Sequence, residues 1–128
     1  MDLLFQKLRE LYPDAPIRKQ EKTIVFPTSF FLKGYDESIG LIFTEEENTI
    51  FLHDWHAVTD YWEVFDCRPQ NFRPEIEDVT KRYGLTYRDT CFYRPIADVT
   101  TVKDEIERFL EALQCLAYLD REALRFLF

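Results

Sequence analysis

The sequence predicts an α+β domain in which a mainly antiparallel sheet of about five strands packs against a long C-terminal helix. Three observations carry that expectation. Apolar residues recur at helical spacing toward the C-terminus, β-branched and aromatic runs are broken by turn residues, and the segments follow the order helix, strands, helix, helix, strands, helix. The 128 residues suit a single domain spanning 1–128, and 46 % apolar with 16 % aromatic residues supply a core and exclude intrinsic disorder. There is no linker, low-complexity tract or repeat.

Each element has its own signal. Leu4, Leu8 and Leu11, with Phe5 and Tyr12 beside them, predict a short N-terminal helix that Pro13 stops. Thr23-Ile24-Val25-Phe26 predicts a strand, and Pro27 places its end at an edge or bend because proline cannot donate to a ladder. Phe30-Phe31-Leu32 continues as an extended apolar segment ended by Gly34. Ser38–Thr44 and Thr49–His53 flank the polar residues Glu45-Glu46-Glu47-Asn48 and predict a β-hairpin.

Two short middle helices follow. Asp54 is placed to cap the first, which carries Val58, Tyr61, Trp62 and Phe65 at helical intervals. Pro74 starts the second, Ile76, Val79 and Tyr83 share one face, and Gly84 closes it in the position that tolerates positive φ. Leu85-Thr86-Tyr87 and Thr90-Cys91-Phe92-Tyr93 pair as a second hairpin across Arg88-Asp89. The stripe Val102, Ile106, Phe109, Leu110, Leu113, Leu116, Ala117, Leu124 and Leu127 predicts a long helix over 102–126 with a break near Asp120. Thr101 and Asp104 resemble a capping box with the shorter acid. So apolar an end as Arg125-Phe126-Leu127-Phe128 has to pack on the domain or on a second subunit.

The net charge of −8 is confined to one third of the chain: residues 21–66 hold ten acidic and two basic side chains, and the rest nets to zero. A field of one sign repels phosphates, so direct nucleic-acid binding is not expected and a partner with a basic surface is. Solubility of a Phe-rich chain explains the acid equally well. Three glycines leave no glycine-rich phosphate loop, and the apolar runs are too short to cross a bilayer. Met1 to Lys7 shows no secretory leader. The expectation is a cytoplasmic protein without cofactor or membrane partner. Cys67, Cys91 and Cys115 have no C-x-x-C spacing and read as reduced core thiols.

Candidate sites lie in the acidic third. Glu45, Glu46 and Glu47 at a loop tip, with Asp60, Trp62 and Glu63 on the following helix, are the candidate partner-binding residues. Carboxylates joined to aromatics are the material of interface hot spots, against the plainer reading of a solvated turn and core aromatics. Histidines 53 and 56 in His53-Asp54-Trp55-His56 are candidate metal ligands beside Asp54, Asp60 and Asp66, although their spacing does not place two imidazoles on one helical face. No sequence signature pairs Cys67 or Cys91 with either histidine as a base, and G-x-S-x-G, Walker and EF-hand motifs are absent. No catalytic residue is assigned. The basic residues Arg68, Arg73, Lys81, Arg82, Arg88 and Arg94 follow the acidic stretch, so a homodimer of dipolar copies is an alternative to a foreign partner.

The succession Phe26-Pro27-Thr28-Ser29-Phe30, Asp36-Glu37-Ser38-Ile39 and Ile50-Phe51-Leu52-His53-Asp54 resembles the pattern of a small bacterial and phage family catalogued as domain of unknown function 1828. Its motifs are threonine-proline-phenylalanine, aspartate-x-isoleucine and leucine-x-aspartate. The similarity extends through Tyr83-Gly84-Leu85 to Phe109-Leu110-Glu111-Ala112-Leu113, over about residues 22–120. Trp55-His56 stands where the family pattern has Asp-Gly, and Ser29 where it has Pro. The resemblance implies a prokaryotic or phage origin and carries over no catalytic residue. Size, acidity and element order are also similar to type III secretion chaperones, an analogy of architecture alone. The sequence therefore reads as a non-enzymatic, acidic protein-binding module, such as a phage or mobile-element inhibitor of a host defence protein or an immunity-type protein. A metal-assisted hydrolase centred on His53 and His56 and a chaperone-like homodimer are the alternatives.

Overall fold

Six strands form one antiparallel sheet in the order β1-β2-β3-β4-β6-β5. The computed structural model describes residues 1–127, and the expectation touching Phe128 lies outside the described residues. Along the chain come α1 (Asp2–Leu11), β1 (Arg18–Gln20), β2 (Thr23–Phe31), β3 (Ser38–Glu46), β4 (Thr49–His53) and α2 (Ala57–Val64). A 3₁₀ turn (Pro69–Phe72) leads into α3 (Arg73–Tyr83), then β5 (Thr86–Arg88) and β6 (Cys91–Ile96), and a second 3₁₀ turn (Val99–Thr101) opens α4 (Val102–Ala117). No helix among the described residues is long and apolar enough to cross a membrane.

The α+β class holds, with one strand more than expected. Arg18–Gln20 is short and has no apolar alternation to betray it; it exists because β2 offers it an edge. Pro27 does not end β2. The strand runs on to Phe31 with an irregular register between Pro27 and Phe31, at a level where β1 no longer pairs with it, so a missing N–H costs little there.

The two predicted hairpins close on two-residue turns, the first in place of the longer loop expected and the second at Asp89-Thr90, one residue beyond Arg88-Asp89. Glu47 and Asn48 (φ 50° and 66°) and Asp89 and Thr90 (φ 52° and 62°) are all left-handed, the backbone that matches the twist of the strands they join. Glu45 and Glu46 are consequently strand residues of β3, not loop residues.

Cross-strand register divides the sheet into two faces. Ile24, Phe43, Leu52 and Arg94 form one row, Phe26 and Leu41 the next, and their apolar members join Leu4 and Leu8 of α1, Val58, Tyr61 and Trp62 of α2, and Ile106, Phe109, Leu113 and Leu116 of α4 in a single core. Arg94 enters this helix-covered layer because Glu105 of α4 accepts from its Nε at 2.5 Å and the Tyr83 carbonyl accepts from a terminal nitrogen. The alternate row, Val25, Ile42, His53 and Tyr93, faces the other way. Ile42 and Cys91 are buried yet stand outside the core cluster.

Helix ends follow local chemistry. α3 begins with Pro74 in its first turn and ends at Gly84 in the left-handed conformation, as its sequence predicts. The capping box at Thr101 does not form; Asp98 accepts from the Thr100 N–H instead and starts a 3₁₀ turn before α4. The long helix stops at Ala117, earlier than expected, and Asp120 opens a series of turns by accepting from the Ala123 N–H at 3.0 Å. Beyond it the tail alternates. Leu124 is buried, Leu127 packs against Gly34, and Phe126 is 87 % exposed.

Candidate functional site

The junction between β4 and α2 gathers the polar side chains that the sequence placed at His53 to His56. Asp54 is fully buried, and its carboxylate accepts from the N–H of Val58 at 3.1 Å and of Phe92 at 2.9 Å. One oxygen thus holds the first turn of α2 and the other holds β6, which makes Asp54 both a helix cap and a cross-link. Burial pushes its carboxyl up to about 6, against the lowering influence of those amides and of His56.

The two histidines look away from a common ligand. His53 accepts the Trp55 N–H on Nδ1 and lies 4.7 Å from the Tyr93 ring; burial first, then His56 and Arg88, lower its pKa to about 4, with Glu46 opposing. The neutral ring therefore carries its proton on Nε2. His56 turns to the second hairpin, with Nδ1 2.5 Å from Thr90 Oγ1 and 3.3 Å from Cys91 Sγ. Thr59 adds a bond from its hydroxyl to the Thr90 carbonyl. These contacts clasp the start of α2 to the β5–β6 turn.

A cysteine beside an imidazole is an arrangement that no sequence signature announces. Its chemistry is muted here. Cys91 is 3 % exposed, and burial raises its thiol pKa, with only the His56 backbone opposing, so the proton stays on sulfur and the pair serves as a hydrogen bond. Among the described residues no group of three or more His, Cys, Asp or Glu side chains is arranged to hold a metal ion.

The clasp presents Trp55. This residue has φ 46° and is followed by His56 at 64°, so two adjacent bulky residues hold the left-handed backbone while the indole stays 58 % exposed. Such a conformation costs on the order of 1–3 kcal/mol and persists only where its surroundings enforce it. Here the Asp54 and His56 contacts on either side do so.

Next to Trp55 lies a pocket of about 280 Å³. Its lining combines Val25, Gly40 and Ile42 of the sheet's second face with Leu32 and Ile39, the aromatic Tyr35 and Trp55, and the carboxylates of Glu37, Asp60 and buried Asp54. The Tyr35 hydroxyl titrates above its ordinary value through burial and then through the charges of Glu37, Asp60 and Asp36, which shows the three acids gathered about that ring. None of the three has an ion-pair partner among the described residues. The loop that carries Tyr35 and Glu37 is fixed from beneath. The Tyr61 hydroxyl donates to the Lys33 carbonyl at 2.6 Å, the Lys33 N–H donates to the Tyr118 hydroxyl at 2.8 Å, and Gly34 turns the chain at φ 80°.

The candidate partner-binding residues are scattered by the fold. Glu45 pairs with Ile50 and so shares the helix-covered face, Glu46 pairs with Thr49 on the other, and Glu47 sits in the turn. Glu46 is also neutralised, its carboxylate 2.5 Å from an Arg88 nitrogen. Trp62 is corrected outright: it is 5 % exposed, its indole N–H donates to the Leu116 carbonyl at 2.9 Å, and it belongs to the core. Asp60 and Glu63 are exposed one turn apart on α2, and of these Asp60 reaches the pocket. The five residues of β4, roughly 17 Å long, separate the glutamate tip from Asp60.

Neither family models, nor curated proteins, nor solved structures gave a match to this chain when compared with it. Function is therefore read from its own residues. Sequence reasoning missed the combination of Tyr35, Glu37 and Trp55 because they come from a loop and a junction that only the packing of α2 against the 32–37 segment brings together. The available signal was Trp55 itself, an indole between two histidines at a strand end where no helical or strand periodicity demands one.

Proposed function

We propose that this chain is a non-enzymatic binding module that engages a protein with a basic surface, and that the pocket beside Trp55 is its contact site. The observation that supports it is the meeting of an exposed indole, held in an unfavourable backbone conformation, with three carboxylates that have no ion-pair partner among the described residues. Uncompensated acid beside aromatic surface attracts a cationic partner at long range and offers it a desolvated anchor at short range. The buried, protonated Cys91 and the divergent histidines argue against a hydrolytic centre in the same place. The resemblance to the bacterial and phage family adds a bacterial host as the source of the partner.

Capture from bacterial lysate, with identification of the retained protein, tests this reading. Glu37→Lys with Asp60→Lys is expected to abolish capture, while Glu45→Lys with Glu47→Lys lowers it slightly. Capture that depends on the hairpin tip and ignores the pocket reverses the assignment.

A further inference from the structure

We propose that the pocket beside Trp55 receives an arginine side chain protruding from the partner protein, an inference that rests on the binding-module reading above. The pocket's lining has a counterpart for each part of an arginine. Its apolar residues, Val25, Ile42 and Leu32, suit the methylene stem, which loses nothing by leaving water. Trp55 and Tyr35 add aromatic rings to that lining, and a planar, weakly hydrated guanidinium stacks on ring faces where a compact, strongly hydrated ammonium is held back by its water. Glu37 and Asp60 reach the site from different elements, the β2–β3 loop and α2. A five-donor fork can serve both acids at once, whereas a single ammonium is a point charge between them. Asp54 adds a third carboxylate to the lining, fully buried and accepting from two backbone N–H groups.

Among the described residues no arginine or lysine lines the pocket. Arg18 stands opposite Val25 on the edge strand but is not part of the lining. Arg88 is committed to Glu46 and lies over Tyr93 at 4.1 Å. Arg94 is turned into the helix-covered layer by Glu105. Both are held away from the pocket by these bonds.

The test uses the intact chain and three short peptides that differ at one residue, arginine, lysine or the neutral arginine isostere citrulline, each flanked by glycines. The indole N–H resonances of Trp55 and Trp62 are followed by NMR, with Trp55→Leu providing the assignment and buried Trp62 reporting that the fold is intact. The arginine peptide is expected to shift Trp55 saturably and to bind several-fold more tightly than lysine, and citrulline is expected to leave the resonance in place. Glu37→Gln with Asp60→Asn, two exposed changes that spare the core, should weaken the arginine peptide by about tenfold. Equal binding of lysine and arginine overturns the arginine inference and leaves the binding-module reading standing. Equal binding of citrulline overturns both, because charge would then play no part. A Trp55 resonance that no peptide moves overturns the arginine inference, and pocket-dependent capture from lysate then decides the broader reading separately.

Discussion

The two acidic regions at opposite ends of β4 differ in whether their charge already has a partner. At the hairpin tip Glu46 meets Arg88, whose guanidinium also covers the Tyr93 ring, and the neighbouring glutamates point to different faces. At the pocket end the charges of Asp36, Glu37 and Asp60 act on Tyr35, and among the described residues none of the three has an ion-pair partner. Acid counted along the chain is therefore a poor guide to recognition; what matters is which acids the fold leaves unpaired and what surface it sets beside them. The two tryptophans make the same point. Trp62, the one the sequence favoured, fills the core, and Trp55 is displayed.

The largest expected effect separates those tryptophans. Trp62→Ala should cost about 3–5 kcal/mol of stability in chemical denaturation, since it empties a core site and orphans the Leu116 carbonyl. Trp55→Ala should stay within about 0.5 kcal/mol of the parent and still lose partner capture. A Trp55 variant that unfolds would make that indole structural and erase the contrast.

Asp54→Asn comes next. An amide side chain cannot accept from both Val58 and Phe92, so one buried N–H loses its acceptor at a cost of about 1–3 kcal/mol. Its pH dependence sharpens the picture. The folded carboxyl titrates near 6 and the unfolded one near 3.8, so between those values the native state holds the extra proton and acidification stabilises it; that stability is lost as pH rises through 6. His53 runs the opposite way. Its folded pKa is near 4 against an ordinary 6.5, so the unfolded state takes the proton first and acidification through that window destabilises the fold. The two neighbours offset one another in the wild-type chain. Melting temperatures measured from pH 4 to 7 should fall more steeply on acidification in Asp54→Asn, and less steeply than wild type in His53→Gln. Parallel profiles for all three proteins would refute the opposition.

Arg88→Gln is the mildest of the set. The pair with Glu46 is half exposed, so its loss together with the ring contact should cost about 1 kcal/mol or less. It leaves the tip with unpaired acid like the pocket's. If capture then shifts to the tip, unpaired charge alone suffices for recognition; unchanged capture through Trp55 shows that the aromatic walls are required.

Much of the fold was legible because it rests on local rules. Leu4 and Leu8 mark a helix face, Gly84 a left-handed stop, and Thr49–His53 a strand with its bounds as found. β1 was not legible, because three polar residues become a strand only when β2 offers an edge. The tip was misread as a loop because two-residue left-handed turns usually announce themselves with glycine, and Glu47-Asn48 and Asp89-Thr90 contain none. The site was half legible. Asp54 holding the first turn of α2 came from the sequence, and Asp60, a candidate there, lines the pocket, but Cys91 beside His56, and Tyr35 with Glu37 beside Trp55, join residues more than fifteen positions apart, and no spacing rule reaches that far.

Taken alone, the sequence determined the class of the domain, the succession of its helices and hairpins and the stretch that carries its acid, since these follow from periodicity, turn chemistry and charge that act over a few residues. Only the tertiary structure decided which acids found a cation, which tryptophan was buried and where a pocket opened. Those outcomes depend on cross-strand register and on how α2 sits against the β2–β3 loop, and burial, which sets the worth of every charge and ring, is a property of that packing.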